Sequence, residues 1–127
     1  MLFSNYNYTA GILAQISDGG ASADRINFYV ANPGDAAIGS TTASGGSGGS
    51  VTGSTDIVNG VKHTLGLRYT TNNVALSVDG SDEASDNTAD MPDDLDTMDV
   101  GQSTAGITQL KGLIQNFRIY KKPVKSG

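Results

Sequence analysis

The chain has 127 residues, 17 of them glycine, with no cysteine and a formal net charge of −5 at pH 7. That length is one domain, large enough to bury about two-thirds of its unfolded surface without outside help. The lack of cysteine excludes disulfides and thiolate metal sites and leaves the redox compartment undetermined; the negative charge argues against nucleic acid, whose phosphates need clustered Lys and Arg. No run of about 18 apolar residues and no charged-then-apolar leader is visible, so neither a membrane span nor a signal peptide is expected. Apolar residues never recur with helical spacing over three turns, which predicts almost no helix. Abundant Gly, Ser, Thr, Asn and Asp with only 3 prolines fit short strands joined by tight turns.

In chain order, GILAQIS (Gly11–Ser17) alternates, with Ile12, Ala14 and Ile16 on one face. A Gly-rich turn spans Asp18–Ala23. RINFYV (Arg25–Val30) alternates again, with Ile26, Phe28 and Val30 inward and Tyr29 outward. Asn32–Pro33–Gly34–Asp35 is a strong turn signal. From Ile38 to Ile57 the composition shifts toward Gly, Ser and Thr, with GGSGG at Gly45–Gly49. A flexible linker has such a composition, but Ile38, Val51 and Ile57 flank it, so a hairpin of two weak strands tipped by GGSGG is the preferred reading. Asn59–Gly60 is the clearest tight-turn dipeptide.

Further on, Val61, His63, Leu65, Leu67 and Tyr69 share one face, and Lys62, Thr64, Gly66 and Arg68 the other. Val74, Leu76 and Val78 repeat the pattern beyond a turn at Thr71–Asn73, so these two strands should form a hairpin. In the last strand Ile114 stands three residues from Phe117, and Ile119 follows at the usual two. A period of two cannot turn all three inward, which predicts a β-bulge near Gln115–Asn116. Strands with one apolar and one polar face predict an all-β fold of two antiparallel sheets packed face to face.

Charge is unevenly spread. Of the 13 acids, Asp79, Asp82, Glu83, Asp86, Asp90, Asp93, Asp94, Asp96 and Asp99 lie within one short stretch. Of the 8 bases, Lys111, Arg118, Lys121, Lys122 and Lys125 lie near the end. The plain reading is a solvated acidic loop beside a basic tail; the sharper one is a pair of complementary patches on neighbouring subunits.

The segments ILAQISDGGASADRINFYV, His63 through Tyr69, VALSVDG, DVGQ and GLIQNFRIYKKPV, in this order, resemble the laminin-G/concanavalin A-like β-sandwich, particularly the modules of bacteriophage virion (decoration and tail) proteins. The resemblance implies a concanavalin-like jelly roll over 11–120, with 1–10 an N-terminal segment available as an intersubunit arm and 121–127 a basic tail. The family's first strands are shortened or absent here, so MLFSNYNYTA must supply what remains. A sandwich lacking a strand leaves an edge for a neighbour to complete.

Related folds include glycosidases, which need two carboxylates facing one cleft. This chain has the single glutamate Glu83, in GSDEASDN, which reads as a loop, and it lacks the Glu-x-Asp-x-x-Glu motif of the family's glucanases. The only histidine, His63, reads as a core residue donating to a backbone carbonyl. No catalytic residue and no cofactor follow, and no enzyme is expected. Calcium stays open, because the superfamily often holds it at acid-rich strand ends; Asp79, Asp82 and Asp86 would be its ligands. Sugar binding is the other implied role, with Tyr29 as the aromatic platform; Tyr69 and Tyr120 read as core or corner residues, and there is no Trp.

The resemblance therefore points first to a non-enzymatic virion protein of a tailed phage, assembled in the host cytoplasm: a capsid decoration (cement) subunit or else a tail-fibre module. It would be a homo-oligomer in contact with capsid or other virion proteins, through Met1, Leu2, Phe3, Tyr6, Tyr8, Lys121, Lys122 and Lys125. Deleting residues 1–8 should then abolish assembly and leave the sandwich folded. A carbohydrate-binding, calcium-dependent module is the alternative.

Overall fold

The computed structural model describes residues 2–4, 11–19, 24–31, 36–43, 46, 48–102, 110 and 112–120. They form ten strands: β1 (Leu2–Ser4), β2 (Gly11–Ser17), β3 (Arg25–Val30), β4 (Ala37–Thr42), β5 (Gly49–Thr52), β6 (His63–Thr70), β7 (Asn73–Val78), β8 (Ser81–Asp86), β9 (Thr97–Val100) and β10 (Leu113–Gln115). Two five-stranded sheets result, ordered β10-β1-β6-β7-β8 and β5-β4-β3-β2-β9. Their paired strands run antiparallel, and no helix occurs among the described residues. The all-β sandwich expected from the alternation is what forms, and β2 and β3 have the expected bounds.

The core lies between the sheets and gathers Leu13, Phe28, Val30, Ala37, Val51, Ile57, Leu65, Val74, Leu76, Val78 and Ala89. Each such aliphatic side chain stabilises the fold by roughly 1.5–3 kcal/mol before entropy is subtracted. The layers are close: a Cβ on Gly39 of β4 would collide with Leu67 of β6, and one on Gly49 of β5 would meet the Ala89 methyl. β4 and β5 pair as the hairpin read from the Gly/Ser-rich stretch.

Four local expectations need correction. In β2 the pairing steps from Ile12↔Tyr29 to Ala14↔Phe28, so the register passes over Leu13. This bulge turns Leu13 fully into the core and leaves Ile16 half-buried, so Ile12, Ala14 and Ile16 do not form one inward row. Second, GSDEASDN is not a loop. Asp79 and Gly80 have φ of 52° and 83°, and Val78 faces Ser81 across them, the geometry of a type I′ two-residue turn. Asp-Gly is the dipeptide that turn prefers, and it feeds directly into β8, an edge strand where charged side chains reach solvent.

The third correction concerns the end of the chain. The interruption expected near Gln115–Asn116 is real in place but different in kind. Asn116 adopts a left-handed φ of 56°, and β10 stops at Gln115 instead of resuming past a bulge. Ile114 packs on the core, whereas Ile119 and Tyr120 are 49% and 58% exposed, neither inward nor at a corner.

The fourth concerns the start. Leu2–Ser4 is not left over as an arm: β1 pairs with β6 on one side (Phe3↔His63) and β10 on the other (Phe3↔Ile114). It is an internal strand of the chain's own sheet. Residues 1, 5–10 and 121–127 lie outside the described residues.

Candidate functional site

The two sides of the sandwich are finished differently, and the acids of β8 do the finishing. β5 and β8 lie side by side as the edges of the two layers. The pairing of β7 and β8 skips Glu83, between Leu76↔Ala84 and Ser77↔Asp82. The glutamate carboxylate reaches the loop after β5, accepting from the Ser54 amide at 2.9 Å, the Thr55 amide at 3.4 Å and the Thr55 hydroxyl. Asp86 accepts from the Ser50 amide at 3.3 Å and from both the amide and hydroxyl of Thr88 at 2.8 Å. Backbone donors along the β5 side are thus met by carboxylates from the other sheet. An unpaired edge is a template for association, and this one is blunted.

Asp79 plays a similar part at the β7–β8 turn. Its Oδ1 accepts from the Thr64 amide at 2.8 Å and its Oδ2 from His63 Nδ1 at 2.8 Å. His63 Nε2 faces Asn59 Oδ1 at 3.1 Å, an oxygen that also accepts from the Val61 amide. The buried histidine therefore bonds a carboxylate and a side-chain amide, not the backbone carbonyl expected from its apolar neighbours. Both ring nitrogens face acceptors, and neither is turned toward a nucleophile.

These contacts hold the three carboxyl groups below their ordinary range. At Asp79 the causes are the His63 and Thr64 hydrogen bonds; at Asp86 they are those of Thr88 and Ser50. At Glu83 burial opposes the charge, and the bonds from Thr55 and Ser54 outweigh it. A group whose folded-state pKa is depressed contributes stability that is present above its unfolded pKa and lost as pH falls through the folded one. The contribution of these three groups should therefore be fully present above about pH 5 and be lost progressively below about pH 4. Urea midpoints at pH 7, 5, 4 and 3 test this, and a flat series would refute it.

The carboxylates named for calcium do not come together as a set. Asp79 and Asp86 are engaged at two different places, Asp82 stands on β8, and no group of three His, Asp or Glu side chains suited to a metal occurs among the described residues. Tyr29, named for a glycan, is half-buried on β3, in register with Ile12 and Ile38 on the strands beside it. Leu2 and Phe3 belong to β1, while Met1, Tyr6, Tyr8, Lys121, Lys122 and Lys125 lie outside the described residues. Tyr69 is half-buried, and burial pushes its phenol upward.

Two surface features emerge that the sequence reading did not single out. The side bounded by β9 and β10 exposes Met98, Val100 and Leu113, and Ile119 and Tyr120 follow β10. On the β6-β7-β8 sheet a groove is lined by Arg68, Asn73, Ala75, Asp82, Glu83, Ala84, Ser85 and Asn87. Across it Arg68 pairs in register with Ala75, and Ala75 with Ser85. Arg68 Nε is shielded from solvent and has no hydrogen-bond partner among the described residues. The clue in the sequence was Arg68 on the polar face of its strand; the Asp-Gly turn that brings β8 alongside went unused.

The search of solved structures finds domains LG4-5 of the mouse laminin alpha1 chain, with a TM-score of 0.66 at 14% sequence identity over 89% of this chain. The fold is a laminin-G-like β-sandwich. The match spans 31% of the laminin chain, so this chain corresponds to less than a third of it. No protein-family model matches the sequence, and no curated protein does. Nothing in these comparisons points to a bacteriophage protein.

Proposed function

We propose that the chain is a non-enzymatic structural module of a tailed-phage virion, a capsid decoration subunit or else a tail-fibre module, that works by protein–protein contact. The observation that carries the contact role is the unequal finish of the sandwich: one side is capped by Glu83 and Asp86, and the other exposes Met98 and Val100 along the edge strand β9. Among the described residues β9 is an edge strand bearing exposed apolar side chains, which suits β-augmentation, in which a partner strand adds to the sheet. The occupant is a second copy of this chain. Exposed Asp93, Asp94 and Asp96 precede β9 and exposed Arg118 follows β10, so a neighbouring copy can set its base against these acids. The virion assignment is supported by the sequence resemblance to phage modules. The absence of enzymatic activity is supported by His63 and Glu83, whose polar atoms are engaged in structural hydrogen bonds.

Light scattering of the purified chain should give a mass of two or more copies, and Met98→Lys with Val100→Lys should return it to the monomer. A monomer at every concentration would remove the self-association. Mass spectrometry of purified phage particles from cells carrying this gene should recover its peptides; their absence would remove the virion assignment and leave the contact reading standing.

A further inference from the structure

We infer that Asn59 is a self-modification site: its side-chain amide closes onto the Gly60 backbone nitrogen and reopens as aspartate or isoaspartate, with His63 and the Val61 amide stabilising the reacting oxygen. Asn59–Gly60 is the only Asn-Gly pair in the chain. Asn59 is exposed, and Gly60, with a left-handed φ of 80°, has no Cβ to hinder approach to its nitrogen. Asn59 Oδ1 accepts from the Val61 amide at 2.9 Å, an Asx turn that folds the side chain over the Gly60 peptide. In the reaction the Gly60 nitrogen gives its proton to water and bonds Cγ of Asn59. The Cγ–Nδ2 bond breaks, and the nitrogen leaves as ammonia with a proton returned by water. Water then opens the succinimide ring at either carbonyl, giving aspartate or a main chain rerouted through the side chain. No oxidant, reductant or partner is needed.

The bonds at Asn59 prepare this step. Its Nδ2 donates to the Asp56 carbonyl at 3.0 Å, which together with the Val61 bond orients the amide. The atom facing His63 Nε2 at 3.1 Å is therefore the oxygen, and the ring nitrogen is its donor. Asp79 holds the other ring nitrogen at 2.8 Å and so fixes the ring. As the Gly60 nitrogen bonds Cγ, negative charge gathers on Oδ1, between two donors already in place, which is the arrangement of an oxyanion hole. The product disturbs its surroundings. A carboxylate oxygen replaces Nδ2 against the Asp56 carbonyl, turning a hydrogen bond into a repulsion. Isoaspartate adds a methylene to the main chain just ahead of β6, whose His63 is in register with Phe3 of β1. The event happens once, on the chain itself, and is independent of the contact role proposed above.

The test is peptide mapping by mass spectrometry of the intact chain after incubation at neutral pH, folded and in guanidinium chloride. Asn59 should convert ahead of Asn27, Asn72, Asn73, Asn87 and Asn116, and about tenfold faster in the folded chain than in denaturant, because unfolding removes both donors. His63→Leu, which keeps an apolar side chain at this buried position but removes the donor, should slow the folded-state conversion several-fold, with circular dichroism showing that the variant is folded. Should that variant not fold, the comparison of folded and denatured parent still decides. Conversion of other asparagines before Asn59, a folded-state rate equal to or below that in denaturant, or an undiminished rate in folded His63→Leu would each overturn the inference.

Discussion

Removal of residues 1–4 should unfold the chain. β1 is only three residues long, but it is internal, holding β6 by one edge and β10 by the other. Its deletion would uncouple β10 from the sheet and remove the strand facing His63 and Thr64. Backbone groups that were paired on both sides would lose their partners, each worth about 0.5–1.5 kcal/mol net, in a domain whose total stability is about 5–15 kcal/mol. Circular dichroism of the truncated chain should show loss of the cooperative transition or a fall in melting temperature of more than about 10 °C. This reverses the expectation that the first eight residues can be cut away with the sandwich intact. A truncated chain that melts like the parent would show that β1 is dispensable.

Replacing Glu83 with Ala should cost about 2 kcal/mol, reflecting charge-assisted bonds worth about 1.5–3 kcal/mol where buried and less at a half-exposed position. The Ser54 and Thr55 amides and the Thr55 hydroxyl would lose their acceptor together, and the loop after β5 would be held less firmly against β8. Glu83→Gln should fall between parent and Ala, since it keeps an acceptor oxygen but loses the charge. The effect should also shrink in acid, as pH falls through the lowered pKa of the parent carboxylate. A Glu83→Ala midpoint equal to that of the parent in urea would mean that the loop is held by other contacts. Because the same substitution unblunts the β5 side, a rise in solution mass should accompany the loss of stability.

Much of the fold was legible because alternation is a local property. Ile26, Phe28 and Val30 point to one side whatever they pack against, and Val74, Leu76 and Val78 do the same, so both strands are readable without knowing their neighbours. The sequence was also sufficient for the Gly/Ser-rich hairpin, since Ile38 and Val51 bracket residues that only a turn accommodates well. β8 was misread although its signal was present. Asp79–Gly80 is a strong hairpin turn, but acid-rich composition outweighed it, and an edge strand tolerates a composition that an internal strand does not.

What remained was decided in three dimensions. The bulge that turns Leu13 inward depends on how β2 fits β3, and the choice among Leu13, Ile12 and Ala14 is made by packing. The roles of Glu83, Asp86 and Asp79 could not be read from residue type. A carboxylate becomes a cap, a metal ligand or a catalyst only when its partners are in place, and these partners lie 28–29, 36 and 15–16 residues away. The groove joins side chains of β6, β7 and β8 that are neighbours only through strand register. Composition and periodicity determined that this chain is a two-sheet antiparallel sandwich, because burial of one strand face acts residue by residue. Tertiary structure alone decided, among the described residues, which edge is capped by carboxylates and which carries exposed apolar side chains, because those properties belong to pairs of strands that the sequence does not place side by side.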